Sequence, residues 1–245
     1  MVTALIFAGG TGQRMNTKSK PKQFLELHGK PVIIYTIEHF EYHHQVDSIV
    51  AVCLKDWIGE LQWLLKRYGI TKVKAIVAGG DTGHDSIYLG LDAMREFMSE
   101  EDIVLIHDGV RPLIDEDLIS KNIEMVKECG NAITSEAVRE SVVQCENGQT
   151  ISHVPPRSEM YVAKAPQSFY YGRIYELYKK AQADNKKTIE RLINVRYPIY
   201  EKADITVPSY NESPFKTASR VIHELKKQGL IVEYTQTPHL KQHKG

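Results

Sequence analysis

Short apolar runs alternate with helix-spaced segments through the first 130 residues, and this alternation constrains the fold more than any other feature. Val2–Phe7, Ser48–Leu54, Lys74–Ala78 and Asp102–His107 read as strands. Between them lie three helical patterns. One opens at Pro31 with Ile34, Ile37, Glu38 and Phe40 on one side, a second is capped by Asp56 and runs to Tyr68, and a third carries Ile87, Leu91 and Met94. A fourth spans about Glu116–Cys129. Strand, helix, strand, helix in repetition predicts an α/β fold with a mostly parallel, Rossmann-like sheet and right-handed crossovers. Ligands of such sheets bind outside the carboxyl ends of the strands. The glycine-rich and aspartate-bearing segments all fall at those ends, which argues for one shared site.

The first strand opens into AGGTGQRMNTKSKPK, where Gly9, Gly10 and Gly12 precede Arg14, Lys18, Lys20 and Lys22. A glycine-rich loop lets backbone N–H groups approach phosphate oxygens, and Arg14 and Lys22 add full charges where phosphate charge sits. Gln13 follows Gly12 where a Walker loop needs lysine, and Met15 stands where a dinucleotide fingerprint needs its third glycine. Chemistry on a nucleoside triphosphate is the reading left, with Ala8 and Thr11 in the same loop.

Composition narrows the class further. Lysine plus arginine and aspartate plus glutamate number 31 each, so there is no global basic field for nucleic acid. No apolar run approaches a membrane span, and the N-terminus enters a strand without room for a signal peptide. Cys53, Cys129 and Cys145 form no C-x-x-C pair, which indicates neither zinc nor a disulfide framework and fits a cytoplasmic protein. Ten histidines include no H-E-x-x-H, and His43 and His44 are expected on a solvated helix end.

Three further constellations lie at strand ends. In GGDTGHDSI, Gly79, Gly80 and Asp81 could admit a flat base, and Ser86 could cap a helix or bind nucleotide. In HDGVRP, Asp108 suits Mg²⁺, which prefers oxygen ligands and phosphates. Arg111 could pair with that carboxylate or with phosphate. In PPRSEMYVAKAPQSF, Arg157 or Lys164 could grip the phosphate of a second substrate. Just before it, Ala137–Val143 and Thr150–Val154 flank Glu146-Asn147-Gly148-Gln149, and Asn-Gly is a hairpin signal. The expectation is an arm, about residues 137–157, on a single domain spanning 1–234. Residues 170–183 and 214–228 read as helices, and 235–245 as a flexible tail.

Taken in order and spacing, AGGTGQRM, PKQF, GGD…DS, HDGVRP and APQSF resemble the polyol-phosphate cytidylyltransferases. One branch makes the cytidine diphosphate of 2-C-methyl-D-erythritol, and another activates ribitol 5-phosphate or a related alditol phosphate for cell-surface polymers. The resemblance covers about residues 1–170. It implies CTP, Mg²⁺, a polyol phosphate that attacks the α-phosphorus, released pyrophosphate, and a homodimer joined through the arm. Carried over by position, Arg14 and Lys22 are the basic pair on the triphosphate, and Ala8, Gly9, Gly10, Gly12, Gly79, Gly80 and Ser86 contact nucleotide. Thr11, Asp81 and Arg111 belong to the same loops. Asp108 holds the metal, and Arg157 reaches the acceptor phosphate, in the partner's site.

The departures from the family pattern fall on the acceptor side. Gly83 stands for arginine, Ala165 for threonine, and Thr188-Ile189-Glu190 for T-D-[AE]. Tyr210 falls where the late strand carries lysine, Lys216 near its aspartate, and Lys202 is a candidate substitute. The AGG opening and Asp56-Trp57 favour the alditol-phosphate branch. A nucleotide-binding homologue without catalysis is the rival class; a glycosyltransferase is disfavoured, because Asp108-Gly109-Val110 supplies only one acid of a D-x-D pair.

Overall fold

The computed structural model describes residues 1–9, 20–145 and 150–183. Among these, residues 1–135 and the chain from 162 onward form one compact unit, and 136–161 belongs to a second. The expected single domain of 1–234 extends beyond the described residues.

The first unit is built on a six-stranded sheet. Its strands are β1 (Val2–Ala8), β4 (Ser48–Cys53), β5 (Val73–Ala78), β6 (Ile103–Asp108), β7 (Asn131–Ala137) and β10 (Tyr161–Tyr170), in the order β5-β4-β1-β6-β10-β7. β1 pairs in parallel with β4 and with β6, and β4 in parallel with β5, whereas β10 runs antiparallel to β6. A small hairpin, β2 (Glu26–Leu27) with β3 (Lys30–Pro31), precedes the first helix. The mostly parallel α/β sheet expected from the sequence is present, with β10 antiparallel to β6.

Alternation along each strand feeds two cores. On one face Ala4, Ile6 and Ala8 of β1 meet Ile33, Ile37 and Phe40 of α1 (Val32–Glu41), Leu61 and Leu65 of α2 (Ile58–Arg67), and Ile119 and Ile123 of α4 (Glu116–Cys129). On the other, Leu5, Val50, Val52 and Val104 meet Ile87 and Leu91 of α3 (Gly83–Ala93) and Ile174 and Tyr178 of α5 (Tyr171–Ala183). Each fully buried Leu, Ile or Phe contributes about 1.5–3 kcal/mol, so this double-sided packing fixes where the strands end. The chain leaves β1 toward β4 and returns to β6 on its other flank. The crevice between β1 and β6 is the switch point at which such sheets bind ligands.

Two expectations need correction. Asp56 caps no helix: it lies in the 3-10 turn Lys55–Trp57, and the N-cap of α2 is Trp57, without a side-chain bond. The residue is engaged one turn too early, because the chain tightens before the α-helical ladder begins. In the second unit, Ala137–Val143 is not an arm strand. Ala137 ends β7, and the hairpin consists of β8 (Gln144–Cys145) and β9 (Ile151–His153). After Val138 N–H, which donates to Met160 O at 2.9 Å, the segment enters no strand until Gln144. Residues 214–228 and the tail 235–245 lie outside the described residues.

Candidate active site

At the carboxyl end of the sheet the register brings Ala8 beside Cys53, Cys53 beside Ala78, and Phe7 beside Asp108. The backbones then interlock. Gly79 N–H donates to Cys53 O at 2.8 Å and Gly109 N–H to Phe7 O at 3.0 Å. A Cβ on Gly79 would stand 2.9 Å from Ser86 Oγ and 3.3 Å from Gly9 Cα, so only glycines let these loops meet over Ser86. A Cβ on Gly109 would stand 2.9 Å from that of Ala8.

The sequence leaves Ser86 open between a helix cap and a nucleotide contact. The cap belongs to Thr82, whose hydroxyl accepts from Asp85 N–H at 3.0 Å. Ser86 is buried, and its Oγ accepts from Gly80 N–H at 3.2 Å. It therefore shapes the Gly79-Gly80 turn from below, with Asp81 exposed beside it. Asp85 is held by Thr82 Oγ1 and by Gln182 Nε2, each at 2.6 Å. Burial alone would raise its pKa; the hydrogen bonds outweigh that and hold it below the ordinary value.

Lys22 opens a 3-10 turn, Lys22–Phe24, whose next two side chains are fully buried. Phe24 stacks on Trp57 with ring centroids 4.7 Å apart. Gln23 Nε2 donates to the carbonyl of Ala8 at 2.6 Å. This bond ties the base of Lys22 to the last residue of β1. Sequence reasoning missed Gln23 as a functional residue; its only signal was its place inside PKQF.

Arg111 takes the first of its two readings: its Nε donates to Asp108 Oδ2 at 2.5 Å, in a partly exposed pair. Four carbonyls of the segment beneath them accept hydrogen bonds. Arg111 N–H donates to Asp108 O at 3.1 Å, Thr36 Oγ1 to Gly109 O at 3.2 Å, and the ring nitrogens of His107 and His39 meet Arg111 O and Pro112 O at 3.0 and 2.9 Å. His107 is fully buried, and burial pushes its pKa down to about 4, so it is neutral at pH 7. Beside a carbonyl, its Nε2 must carry the proton.

Asp108 offers one carboxylate at the mouth of the crevice. A single carboxylate suits Mg²⁺ held mainly by nucleotide phosphates and water, so the donor set fits the metal expected there. His43, His44 and Glu116 place ligand atoms within 4.8 Å of one another. However, His43 is buried rather than solvated, and both its nitrogens are occupied. Nδ1 accepts from Gln45 N–H at 3.2 Å and Nε2 meets Glu116 O and Ser120 Oγ at 3.3 and 3.1 Å. His44 is the exposed one, against Glu116.

The antiparallel register of β10, with Gln167 opposite Ile106, carries Lys164 toward the Asp108 end of β6. In the second unit, Arg157 opens an exposed 3-10 turn and its Nη1 donates to Arg139 O at 3.3 Å. The structure thus gathers Ala8, Gly9, Gly79, Gly80, Ser86, Asp108, Arg111 and Lys22 at one edge. Gly10, Thr11, Gly12, Arg14, Thr188, Lys202, Tyr210 and Lys216 lie outside the described residues.

The family profile of IspD, 2-C-methyl-D-erythritol 4-phosphate cytidylyltransferase, matches residues 2–193. A protein of Streptococcus agalactiae named ribitol-5-phosphate cytidylyltransferase is 45% identical over 218 residues, covering 85% of this chain and 91% of that one. A Vibrio parahaemolyticus protein of the same name is 49% identical over 184 residues, covering 75% and 77%. A Clostridium botulinum 2-C-methyl-D-erythritol 4-phosphate cytidylyltransferase is 35% identical over 189 residues, covering 77% and 80%. A solved 4-diphosphocytidyl-2C-methyl-D-erythritol synthase of Anaerococcus prevotii shares the fold, with TM-score 0.70 at 24% identity over 94% of this chain and 96% of that one.

Proposed function

This chain belongs to the IspD family of cytidylyltransferases, and within it we propose that the chain transfers CMP from CTP to ribitol 5-phosphate, or a closely related alditol phosphate. The observation that carries the reading is the convergence of Gly9, Gly79, Gly80, Lys22 and Asp108 at the β1–β6 switch point, joined to relatives of 45–49% identity that carry the ribitol name. The relative named for methylerythritol phosphate is more distant, at 35%.

In the proposed reaction an unprotonated oxygen of the acceptor phosphate attacks the α-phosphorus of CTP. One P–O bond forms, the bond to the bridging β-phosphate oxygen breaks, and pyrophosphate leaves with the electron pair. The nucleophile is already an anion, so no general base is required. The protein's task is to hold two anions together and neutralise them. Gly9, Gly79 and Gly80 let backbone approach the nucleotide, and Ala8, Gly10, Thr11, Gly12, Asp81 and Ser86 are assigned to it as well. Arg14 and Lys22 are assigned to the triphosphate, Lys22 to the charge that grows on the leaving group. Asp108 would hold Mg²⁺, with Arg111 locking its carboxylate; bound Mg²⁺ neutralises phosphate charge and aligns the triphosphate. Lys164, Thr188 and Arg157 are assigned to the acceptor.

We assign Arg157 to a site shared across a homodimer. The second unit leaves Val143, Ile151, Val154 and Tyr161 exposed. A two-stranded hairpin of this size is marginal alone and needs a surface, and a two-fold pair gives each arm the same one. Among the described residues no helix is long and apolar enough to cross a membrane, and a cytoplasmic enzyme feeding cell-surface polymer synthesis is the setting proposed.

Pyrophosphate release with CTP and Mg²⁺ across a panel of polyol phosphates tests the reading. Ribitol 5-phosphate should give the highest kcat/KM. Preference for 2-C-methyl-D-erythritol 4-phosphate would move the chain to the isoprenoid branch. CTP binding without turnover on any acceptor would make it a non-catalytic homologue.

A further inference from the structure

The connection from β6 to α4 is gripped by α1 at matching steps along both. Thr36 and His39 stand three apart on α1, the spacing that keeps side chains on one helix face, and His43 follows four residues on, just beyond the end of that helix at Glu41. Their partners Gly109 O, Pro112 O and Glu116 O advance by the same three and four. The bond lengths are 3.2, 2.9 and 3.3 Å. Thr36 is buried on a helix whose other inward residues are mostly apolar, Ile33, Ile37 and Phe40 among them. A polar group inside an apolar face is costly unless it finds a partner; the partners of Thr36 and His39 are carbonyls of one loop, and that of His43 is the first carbonyl of α4. From the strand side, His107 packs its ring 5.3 Å from that of Phe40 and bonds Arg111 O at 3.0 Å.

We propose that Thr36 and His107 are positioning residues for the Asp108–Arg111 pair, acting from the two ends of one rail that His39 and His43 continue. The inference deepens the cytidylyltransferase reading, since it names what sets the metal- and phosphate-facing groups of that site. The mechanical argument is local. Asp108 and Arg111 flank a turn whose first free carbonyl, Gly109 O, is held by Thr36 and whose last, Arg111 O, is held by His107. The Thr36 hydroxyl has a weaker alternative, Val32 O at 3.4 Å within its own helix. When either carbonyl is released, the two charged side chains lose their shared base while the apolar core beneath stays filled.

The test separates donor loss from volume change. Thr36→Val and His107→Phe keep shape and lose the donor; Thr36→Ser and His107→Gln keep a donor at the same reach. Hydrogen exchange of the 108–113 segment is measured in the free protein, together with the melting temperature, so this readout does not depend on any substrate. Exchange should rise at least about tenfold in the Thr36→Val and His107→Phe chains, as one lost hydrogen bond predicts. In the Thr36→Ser and His107→Gln chains it should stay near the wild-type rate. With CTP and ribitol 5-phosphate, kcat should fall about ten- to a hundredfold in the first pair, with KM for CTP within about threefold, because misplacement mainly taxes the transition state. Recovery of kcat in the second pair supports positioning. Unchanged exchange in the donor-less variants, or equal kcat for Thr36→Val and Thr36→Ser, overturns it. A wild-type protein silent with every polyol phosphate would sink the functional reading instead, while exchange would still decide the role of Thr36 and His107.

Discussion

The loop after β6 and the hairpin of the second unit are both candidate parts of the site, and they are built on opposite terms. In the loop, the carbonyls of Asp108, Gly109, Arg111 and Pro112 all accept hydrogen bonds, three of them from side chains of α1 or β6. In the hairpin, β8 has two residues and β9 three, and all are exposed. Its side-chain bonds, such as Ser152 Oγ to Gln144 O at 3.1 Å, are exposed too. The comparison teaches where preorganisation resides. The loop proposed for the nucleotide side is set by the packed sheet beneath it, whereas the hairpin near Arg157 has no comparable support among the described residues of its own unit. That difference predicts that lesions in the first region act on chemistry and fold, and lesions in the second on acceptor and assembly.

The largest effect should come from Lys22. Gln23 and Phe24 anchor it, so Lys22→Ala removes the ammonium group with little effect on the turn. Charge grows on the departing pyrophosphate, so the loss should fall on kcat, by about 10²–10³, more than on CTP affinity. Steady-state kinetics with pyrophosphate detection reads this directly. Near-normal turnover would remove Lys22 from the reaction and erase the contrast between the two regions.

Arg157 is the counterpart on the arm. Arg157→Ala should raise KM for the acceptor about tenfold or more and leave KM for CTP unchanged, since the proposed nucleotide site at the carboxyl end of the sheet does not include it. Complementation sharpens the point. An Arg157→Ala chain and an Asp108→Asn chain, each weak alone, should on mixing regain about a quarter of wild-type activity if the arm serves the other subunit, because half the dimers are mixed and each carries one intact site. If Arg157 serves its own chain, every mixed site keeps one lesion and nothing returns.

What the sequence revealed follows the same division. Apolar runs closed by glycine or aspartate marked the end of β5 at Ala78 and those of β1 and β6 one residue early, because burial on both faces leaves continuous apolar runs. The charge-bearing residues of the loops stood out in the sequence because they close apolar strands; Asp108 also has a structural partner, Arg111. Gln23, Thr36 and His107 escaped as positioning groups, since each is a polar residue made useful by a tertiary partner between 4 and 73 positions away. Ser86 was half legible: its burial over Gly80 required knowing that Thr82 had already taken the cap. The arm was misread at Ala137–Val143 because alternation reports a half-buried strand only where a neighbouring strand exists.

Acid should separate the regions further. Glu41 is buried at the end of α1 and accepts from Thr71 N–H at 2.8 Å, Thr71 Oγ1 at 2.6 Å and Lys72 N–H at 2.8 Å. Burial pushes its pKa up, but these donors and nearby Lys72 outweigh that and hold it below 4.5. A depressed carboxyl contributes stability that is complete above the unfolded value and lost as pH falls through the folded one. Urea unfolding should therefore weaken below about pH 4.5. Glu41→Gln should cost about 1–3 kcal/mol at pH 7, since an amide nitrogen then faces a backbone donor, and should flatten the acid limb. An unchanged pH profile in the Gln variant would mean that the α1 unit draws its acid sensitivity from elsewhere.

The smallest effect on folding should come from the arm's own apolar side chains. Ile151 and Val154 are 57% and 58% exposed, so changing both to serine removes little buried area within the chain. Exposed substitutions away from caps and turns shift stability by no more than about 0.5 kcal/mol. The unfolding free energy of the Ile151→Ser, Val154→Ser chain, measured at protein concentrations low enough to keep it monomeric, should stay within that range of wild type. If these side chains pack on a second copy, the loss appears in association instead, where burying each is worth about 1.5–3 kcal/mol. Sedimentation equilibrium should then show a dimer dissociation constant raised by at least about tenfold, with acceptor turnover falling in step at low enzyme concentration and recovering at high. A large drop in monomer stability would show that the hairpin packs on its own chain. An unchanged dimer constant would send the search for its docking surface away from Ile151 and Val154.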